Sequence, residues 1–177
     1  MKKSKTLKLS LLACFAFCIL SLAFNTGCGV YRFNDVSIPD SIKTVRIGTI
    51  VNKAQYVNPQ LTPLLTDRLK QKITNQTRLS QTNSDNADWD IQGYISDYSV
   101  STSGVSSVNG KSQTSINRLT VTVHISIVNT NRPEIVVSRQ FDFDASLSLQ
   151  AAEARLLDDI VKNVSDEIFN NLFSNWN

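Results

Sequence analysis

The segment NRLTVTVHISIV, residues 117–128, is the feature that most limits what this chain can fold into. Its apolar members are Leu119, Val121, Val123, Ile125 and Ile127, and the polar residues between them are Thr120, Thr122, His124 and Ser126. Because successive side chains of a strand point to opposite faces, this alternation predicts a strand with one face in the core. The chain therefore contains a sheet that is covered on one side and polar on the other.

A second alternating segment, residues 135–147, follows after the short polar turn NTNRPE. Its apolar members are Ile135, Val137, Phe141 and Phe143, and the opposite face carries Val136, Ser138, Gln140, Asp142 and Asp144. Two consecutive strands with a short link predict an antiparallel hairpin. The alternation places Arg139 on the apolar face, where its charged end would reach water at the sheet margin.

Two earlier segments also predict strands. Residues 41–52 form the first, and its apolar side chains are Val45, Ile47 and Val51. In residues 89–100 the apolar face shifts after Ile95, towards Tyr98 and Val100. A bulge near Gly93 or Asp97 would produce that shift.

Residues 99–115 are rich in serine, threonine and glycine and contain the pair Asn109-Gly110, which is typical of hairpin turns. The segment lacks a sustained apolar alternation. It predicts a long, mobile hairpin loop between two strands.

Two segments have the four-residue apolar spacing of amphipathic helices. The first, residues 58–77, contains Pro59 and Pro63, which a helix tolerates only in its first turn. Its apolar members are Leu61, Leu64, Leu65, Leu69 and Ile73. The second begins near Ser148, and Glu153 lies early enough to suit the helix dipole. Its apolar members are Leu156, Leu157, Ile160, Val161, Val164, Ile168, Phe169, Leu172 and Phe173.

The predicted order is strand, helix, three strands, helix. The predicted fold class is α+β, a two-layer sandwich in which two helices pack on one face of an about four-stranded, mostly antiparallel sheet. We expect residues 41–177 to form this single domain.

Residues 1–27 are predicted to be a signal peptide and not part of the domain. Four lysines precede an apolar run of about 16 residues, which is shorter than the roughly 20 that a transmembrane helix needs. Its removal takes four of the 18 Lys and Arg and no acid, leaving 14 against 15 Asp and Glu, a formal net charge of −1. The basic character of the whole chain therefore does not indicate a nucleic-acid partner.

Cys28 would be the first residue and the only cysteine of the mature chain, since the other two lie in the apolar run. No intramolecular disulfide can then form, and a free thiol in an oxidising compartment needs another role. Thr26 and Gly27 before Cys28 resemble the lipobox of bacterial lipoproteins, in which the thiol is acylated and the leader is cut just before it. Asn25 departs from that pattern, which usually has an apolar residue. An ordinary signal peptide followed by a chance cysteine is the alternative.

Acyl chains such as palmitate on Cys28 would attach the protein stably to a membrane without inserting it. Residues 28–40 would then be an N-terminal tether. Gly29 follows the cysteine, and the first acidic residue is Asp35. By resemblance to known sorting rules, this predicts the outer membrane, facing the periplasm.

The mature chain offers few residues for catalysis or metal binding. Hydrolase triads and zinc sites need histidine or several cysteines, and His124 has no paired ligand at a suitable spacing. Asp142 and Asp144 could share a cation, but a solvated pair at a sheet edge is the plainer interpretation. Glycines are scattered, so no phosphate-binding loop is indicated. We predict no enzymatic activity, no metal and no cofactor beyond the acyl chains.

Several segments together resemble one family. They are CGVYRF, NPQLTPLLTDRLKQKI, WDIQGYISDYSVS, NRLTVTVHISIVNT and LLDDIVKNVSDEIFNNLFSNW. This set is similar to the lipopolysaccharide-assembly lipoproteins of Gram-negative bacteria, the LptE family, over nearly all of the mature chain. The resemblance implies a sheet with two helices on one side, and a lipid-anchored protein that plugs the outer-membrane β-barrel LptD and helps it fold. Contact with lipopolysaccharide itself is a further expectation, and no catalysis is implied.

Lipopolysaccharide carries phosphates, which Arg and Lys side chains hold by charge-assisted hydrogen bonds. Lys111 and Arg118, which flank the Ser/Thr-rich segment, are the first candidate contacts, and Arg46 is the second. The polar sheet face could hydrogen-bond within a wet barrel lumen, with residues 99–115 reaching deepest. An ordinary solvated sheet face is an equal alternative. At the level of function, the alternative is a free-standing, periplasm-facing lipoprotein that binds another ligand or envelope protein.

Overall fold

The computed structural model describes residues 38–108 and 111–173, with side chains described outside 106–115. The elements, in chain order, are β1 (Thr44–Ile47), β2 (Val51–Asn52), α1 (Leu61–Gln76), β3 (Ser80–Gln81), β4 (Trp89–Val108), β5 (Lys111–Ile127), β6 (Ile135–Asp144) and α2 (Leu149–Phe173). The predicted signal peptide, Cys28 and most of the predicted tether lie outside the described residues.

The six strands form one sheet in the order β3-β1-β4-β5-β6, and β2 also pairs with β4. The strand β5 is antiparallel to both of its neighbours, β4 and β6, whereas β1 and β2 run parallel to β4. The predicted α+β class is confirmed. The sheet has more strands than the four expected, because the first predicted strand is broken in two and β3 adds a short parallel strand.

Both helices belong to the same hydrophobic core as the sheet. The helix α1 buries Leu61, Leu65, Leu69 and Ile73, and α2 buries Ile160, Val164, Ile168 and Leu172. The same core contains the buried face of β5, whose members are Leu119, Val121, Val123, Ile125 and Ile127. The prediction for Leu64 is wrong, since this side chain is 42% exposed. A step of one residue rotates a helix by about 100°, which turns Leu64 away from the stripe of Leu65.

The break between β1 and β2 changes which side chains face the core. The Gly48 N–H donates to the Ile91 carbonyl at 2.9 Å, and the Ile50 N–H leaves the sheet and donates to Thr66 Oγ1 in α1 at 3.1 Å. The Ile50 side chain is thereby buried, and Val51 is left 54% exposed on the other face. The prediction that Val51 faces the core is therefore wrong.

The predicted bulge lies near Asp97, where the register of β4 against β5 shifts between Ile95 and Asp97. Tyr98 is buried after this shift, as expected. Val100 remains 41% exposed, because no described strand pairs with β4 on its far side beyond Ile95.

The prediction that residues 99–115 form a loop is wrong, because residues 99–108 continue β4 and residues 111–115 begin β5. The strands β4 and β5 remain paired from Ile91↔Ile127 to Val108↔Lys111. The strand β6 accompanies β5 only as far as Ile116↔Asp144. The strand segments 104–108 and 111–116, here called the projecting hairpin, therefore extend beyond the body of the sheet. Main-chain pairing, which needs no apolar side chains, continues where the sequence pattern stops.

The projecting hairpin lies at one end of the sheet, and the start of β1 and the end of α2 lie at the other. Pairing of Val45 with Trp89 places the start of β1 at the first residues of β4, and the ring of Phe173, at the end of α2, lies 5.9 Å from that of Trp89. The 20 residues of β4 correspond to roughly 65 Å at about 3.3 Å per residue. The hairpin thus points away from the side on which the described chain begins.

Candidate interaction surface

The open face of the sheet carries a row of side chains across four strands. The register aligns Val51 with Tyr94, Tyr94 with His124, and His124 with Val136. The rings of Tyr94 and His124 are stacked, with centroids 4.7 Å apart and planes 9° apart. Val51 and Val136, at the two ends of the row, are each 54% exposed. The predicted polar face is therefore interrupted by an aromatic pair between two exposed valines.

Charged groups flank this row on both sides. Lys53 Nζ lies 4.1 Å from the centroid of the Tyr94 ring, a cation–π contact. On the other side, His124 Nδ1 lies 2.9 Å from Glu134 Oε2. His124 is thus held between a ring and a carboxylate. Sequence spacing alone missed Glu134, because the partner comes from the turn before β6.

Towards the hairpin the open face becomes rich in hydroxyl groups. Thr122 and Ser138 are paired across β5 and β6, and their hydroxyl oxygens lie 3.0 Å apart. Thr120 lies opposite Gln140 in the next row. These side chains satisfy one another while remaining partly exposed. The alternation predicted for β5 and β6 is confirmed by the burial of their opposite faces.

Arg118 and Asp142 form the following row at the base of the projecting hairpin. Arg118 Nε donates to Asp142 Oδ1 at 2.6 Å, and Nη2 donates to Oδ2 at 2.9 Å. The hydrogen bonds from Arg118 lower the pKa of Asp142, and the same contact raises the pKa of Arg118. A phosphate bound by Arg118 would have to share the guanidinium with this carboxylate.

Arg46 lies far from Arg118, on β1 at the other end of the sheet. Its Nε donates to Asp90 Oδ1 at 3.1 Å and its Nη1 donates to Asp85 Oδ1 at 2.6 Å. The hydrogen bond from Arg46 lowers the pKa of Asp90, whose residue is only 8% exposed. The contact joins the edge of the sheet to β4, 44 residues further along the chain.

Lys111 begins β5 and is paired with Val108, and its side chain lies outside the described part of the structure. The three candidate lipid contacts are therefore not brought together. Lys111 and Arg118 share one strand, whereas Arg46 is at the opposite end of the sheet. Contact of any of them with lipopolysaccharide stays a prediction.

A partly buried polar cluster joins α2 to the point where β4 leaves the body of the sheet. The Tyr98 hydroxyl donates to Glu153 Oε1 at 2.7 Å, and the Tyr56 hydroxyl donates to Glu153 Oε2 at 3.2 Å. The two tyrosine rings are stacked, with centroids 5.4 Å apart. Burial, followed by the hydrogen bond to Glu153, raises the pKa of Tyr98. Burial is also the largest cause of the raised pKa of Tyr56.

From the sequence, Glu153 is expected only to interact favourably with the helix dipole. The structure buries it to 8% exposure, where it anchors the first turns of α2. The sequence does indicate this burial, because Glu153 precedes Leu156 by three residues and Ile160 by seven. It therefore lies on the apolar stripe of α2.

Within residues 38–108 and 111–173, no group of three or more His, Cys, Asp or Glu side chains is arranged to hold a metal ion. None of the helices in these residues is long and apolar enough to cross a membrane.

The fold is a two-layer α+β domain with an open sheet face and a projecting hairpin. The chain matches the family model LptE, described as lipopolysaccharide-assembly, over residues 42–172, and it belongs to this family. The resemblance noted from the sequence is thus confirmed. The family is a non-enzymatic one that serves lipopolysaccharide assembly.

Several solved structures are similar at low identity. Lipoprotein B from Nitrosomonas europaea is 18% identical with a TM-score of 0.47, covering 81% of this chain and 88% of that chain. Rare lipoprotein B from Shewanella oneidensis is 13% identical with a TM-score of 0.42, covering 73% of this chain and 93% of that chain. The putative neuraminyllactose-binding hemagglutinin homolog from Helicobacter pylori is 7% identical with a TM-score of 0.49, covering 78% and 84%. Among curated proteins, no match to this chain is found.

Proposed function

We propose that this chain is a lipid-anchored outer-membrane protein, facing the periplasm, that plugs the β-barrel LptD and helps it assemble. Membership of the lipopolysaccharide-assembly family supports this role. The observation that carries the proposal is the projecting hairpin, at the end of the sheet opposite to the start of β1. A protein anchored through its N-terminus could then hold this hairpin away from the anchor and inside a barrel.

The open face suits a wet lumen. The hydroxyl and amide side chains of β5 and β6 can exchange water for hydrogen bonds to a lumen wall. Arg118 enters already paired with Asp142, so no isolated charge would be desolvated.

We also propose that the chain contacts lipopolysaccharide, with Lys111 and Arg118 as the first candidate contacts and Arg46 as the second. Of these, Lys111 lies nearest to the end of the hairpin. We propose no enzymatic role and no nucleic-acid partner.

Co-purification from detergent-solubilised membranes tests the plug. We expect the wild-type chain to recover LptD in about equal amounts. A variant in which Thr102 and Asn117 are joined by a short Asn-Gly turn lacks residues 103–116. It should keep the circular dichroism of the domain, because β6 pairs with the removed part only at Ile116. It should lose most of the barrel, because the projecting hairpin is absent. Recovery of the wild-type chain without any barrel would refute the plug and favour a free-standing binding lipoprotein.

A matched variant separates loss of the hairpin from loss of the open face. Val136→Thr keeps a β-branched side chain at an exposed position and should retain the barrel almost completely. If both variants retain LptD equally, the hairpin does not carry the interaction.

Acylation of Cys28 has its own measurement. Mass spectrometry of the mature N-terminus should show acyl chains on Cys28 as its first residue. An unmodified thiol, or a mature chain that starts elsewhere, would refute the lipid anchor and leave the ordinary signal peptide.

A further inference from the structure

The strand β4 has a free edge within the described residues. The last pairing on its far side is Asn52 with Ile95, followed by the Lys53 N–H, which donates to the Ile95 carbonyl at 2.8 Å. From there to Val108, β4 pairs only with β5. Its other side therefore presents main-chain groups to the surroundings.

The hydrogen-bond pattern identifies which residues point outward. The Val128 N–H donates to the Asp90 carbonyl, so Asp90 and every second residue after it face β5. The register shift at Asp97 moves this alternation by one residue. The main-chain groups of Val100 and Thr102 consequently lie on the free edge.

This edge lacks the usual protection against pairing. Natural sheets blunt free edges with charged residues, prolines or bulges. Residues 98–108 contain no charged residue and no proline, and Ser99 to Ser103 are all exposed. Val100 is 41% exposed and Val105 is 68% exposed, so apolar side chains accompany the open main chain. The first interruption is the register shift between Thr102 and Gly104.

We propose that the free edge of β4 pairs with the same edge of a second copy of this chain. A two-fold axis at Val100 would place Val100 opposite its own copy and Thr102 opposite Tyr98, in an antiparallel ladder. Identical residues meet across such an axis, and a charged residue there would oppose itself. The uncharged edge avoids that repulsion, and the pairing covers the half-exposed Val100.

The ladder is short. It is limited by the register shifts at Asp97 and Gly104 to about five residues on each copy. The dimer is consequently weak and concentration-dependent, and attachment to a membrane surface would favour it by raising the local concentration. The dimer is a state of the chain without LptD, because residues 98–102 adjoin the hairpin that the proposed plug places inside the barrel.

Sedimentation velocity of the complete mature chain in detergent micelles, at increasing protein concentration, tests the dimer. We expect the wild type to show a rising dimer fraction. Val100→Pro removes an outward donor without touching the β5 ladder, and should weaken dimerisation by at least about tenfold while leaving thermal unfolding nearly unchanged. Val100→Thr keeps the donor and the β-branched shape, and should dimerise as the wild type does.

A charge variant tests the dimer independently of the proline variant, which could fail to fold. Val100→Lys places two like charges opposite each other, and should suppress the dimer at low salt and partly restore it at high salt. A wild type that stays monomeric at all concentrations would overturn the proposal. A dimer that Val100→Pro and Val100→Lys leave intact would also overturn it. Protection of the Val100 and Thr102 amides by LptD alone, without a dimer, would assign the edge to that partner instead.

Discussion

The body of the sheet and the projecting hairpin are built from the same two strands, yet their side chains have opposite surroundings. In the body, Ile95 and Ile125 are at most 1% exposed beneath the helices, whereas in the hairpin Val105 is 68% exposed and Ile116 is 40% exposed. Hydrogen bonds between β4 and β5 continue through both regions. Burial beneath the helices, and not strand pairing, therefore determines which part of the sheet contributes most to stability.

The largest expected difference between the two regions is in the cost of truncating one apolar side chain. Ile125→Ala should lower the free energy of unfolding by about 2–5 kcal/mol, because it leaves a cavity in the core. The matched Val105→Ala should change it by less than about 0.5 kcal/mol. Urea denaturation measures both values. Comparable losses at the two positions would show that the hairpin is packed against something in solution.

The glycines of β4 allow a second comparison. A Cβ on Gly93 would lie 2.7 Å from the His124 carbonyl oxygen and would collide with Ile125 Cδ1, whereas a Cβ on Gly104 would come no closer than 3.4 Å to Ile116. We expect Gly93→Ala to cost about 2–3 kcal/mol and Gly104→Ala to be nearly neutral. Thermal unfolding followed by circular dichroism distinguishes them, and a tolerated Gly93→Ala would contradict the rigid pairing of the body.

The ion pair of Arg46 with Asp90 in the body and that of Arg118 with Asp142 at the base of the hairpin should differ in their effect on the pH dependence of stability. The pKa values of Asp90 and Asp142 are both lowered by their arginines, so each contributes stability above the ordinary carboxyl pKa, and that stability is lost as pH falls through the lowered value. Asp90 has a side chain 11% exposed, against 46% for Asp142.

We therefore expect Asp90→Asn to flatten the acid dependence of stability more than Asp142→Asn does. Unfolding midpoints in urea between about pH 3 and pH 7 measure this difference. Solvent should largely screen the exposed pair of Arg118 and Asp142. Equal changes of the pH profile in the two variants would therefore contradict the expected difference between the two ion pairs.

Much of the body could be predicted because its side chains alternate or recur with a fixed period. The faces of β5, β6 and both helices follow directly from that spacing. The extension of β4 and β5 through residues 99–115 could not be predicted in this way, since serine and threonine there leave no apolar signal for a strand. The candidate site was predicted in part: its hydroxyl-rich face follows from alternation, but the stack of Tyr94 on His124 depends on register.

By itself, the sequence determined the two-layer α+β class, the core stripes of the helices and the polar character of the open face. Each depends on residues close together in the chain, whose spacing sets their direction. Only the tertiary structure decided that Arg46 is paired with Asp90, that Glu153 accepts hydrogen bonds from Tyr56 and Tyr98, and that the hairpin projects away from the start of β1. These contacts join residues 44 or more positions apart. Strand register and helix packing bring them together, and local spacing contains neither.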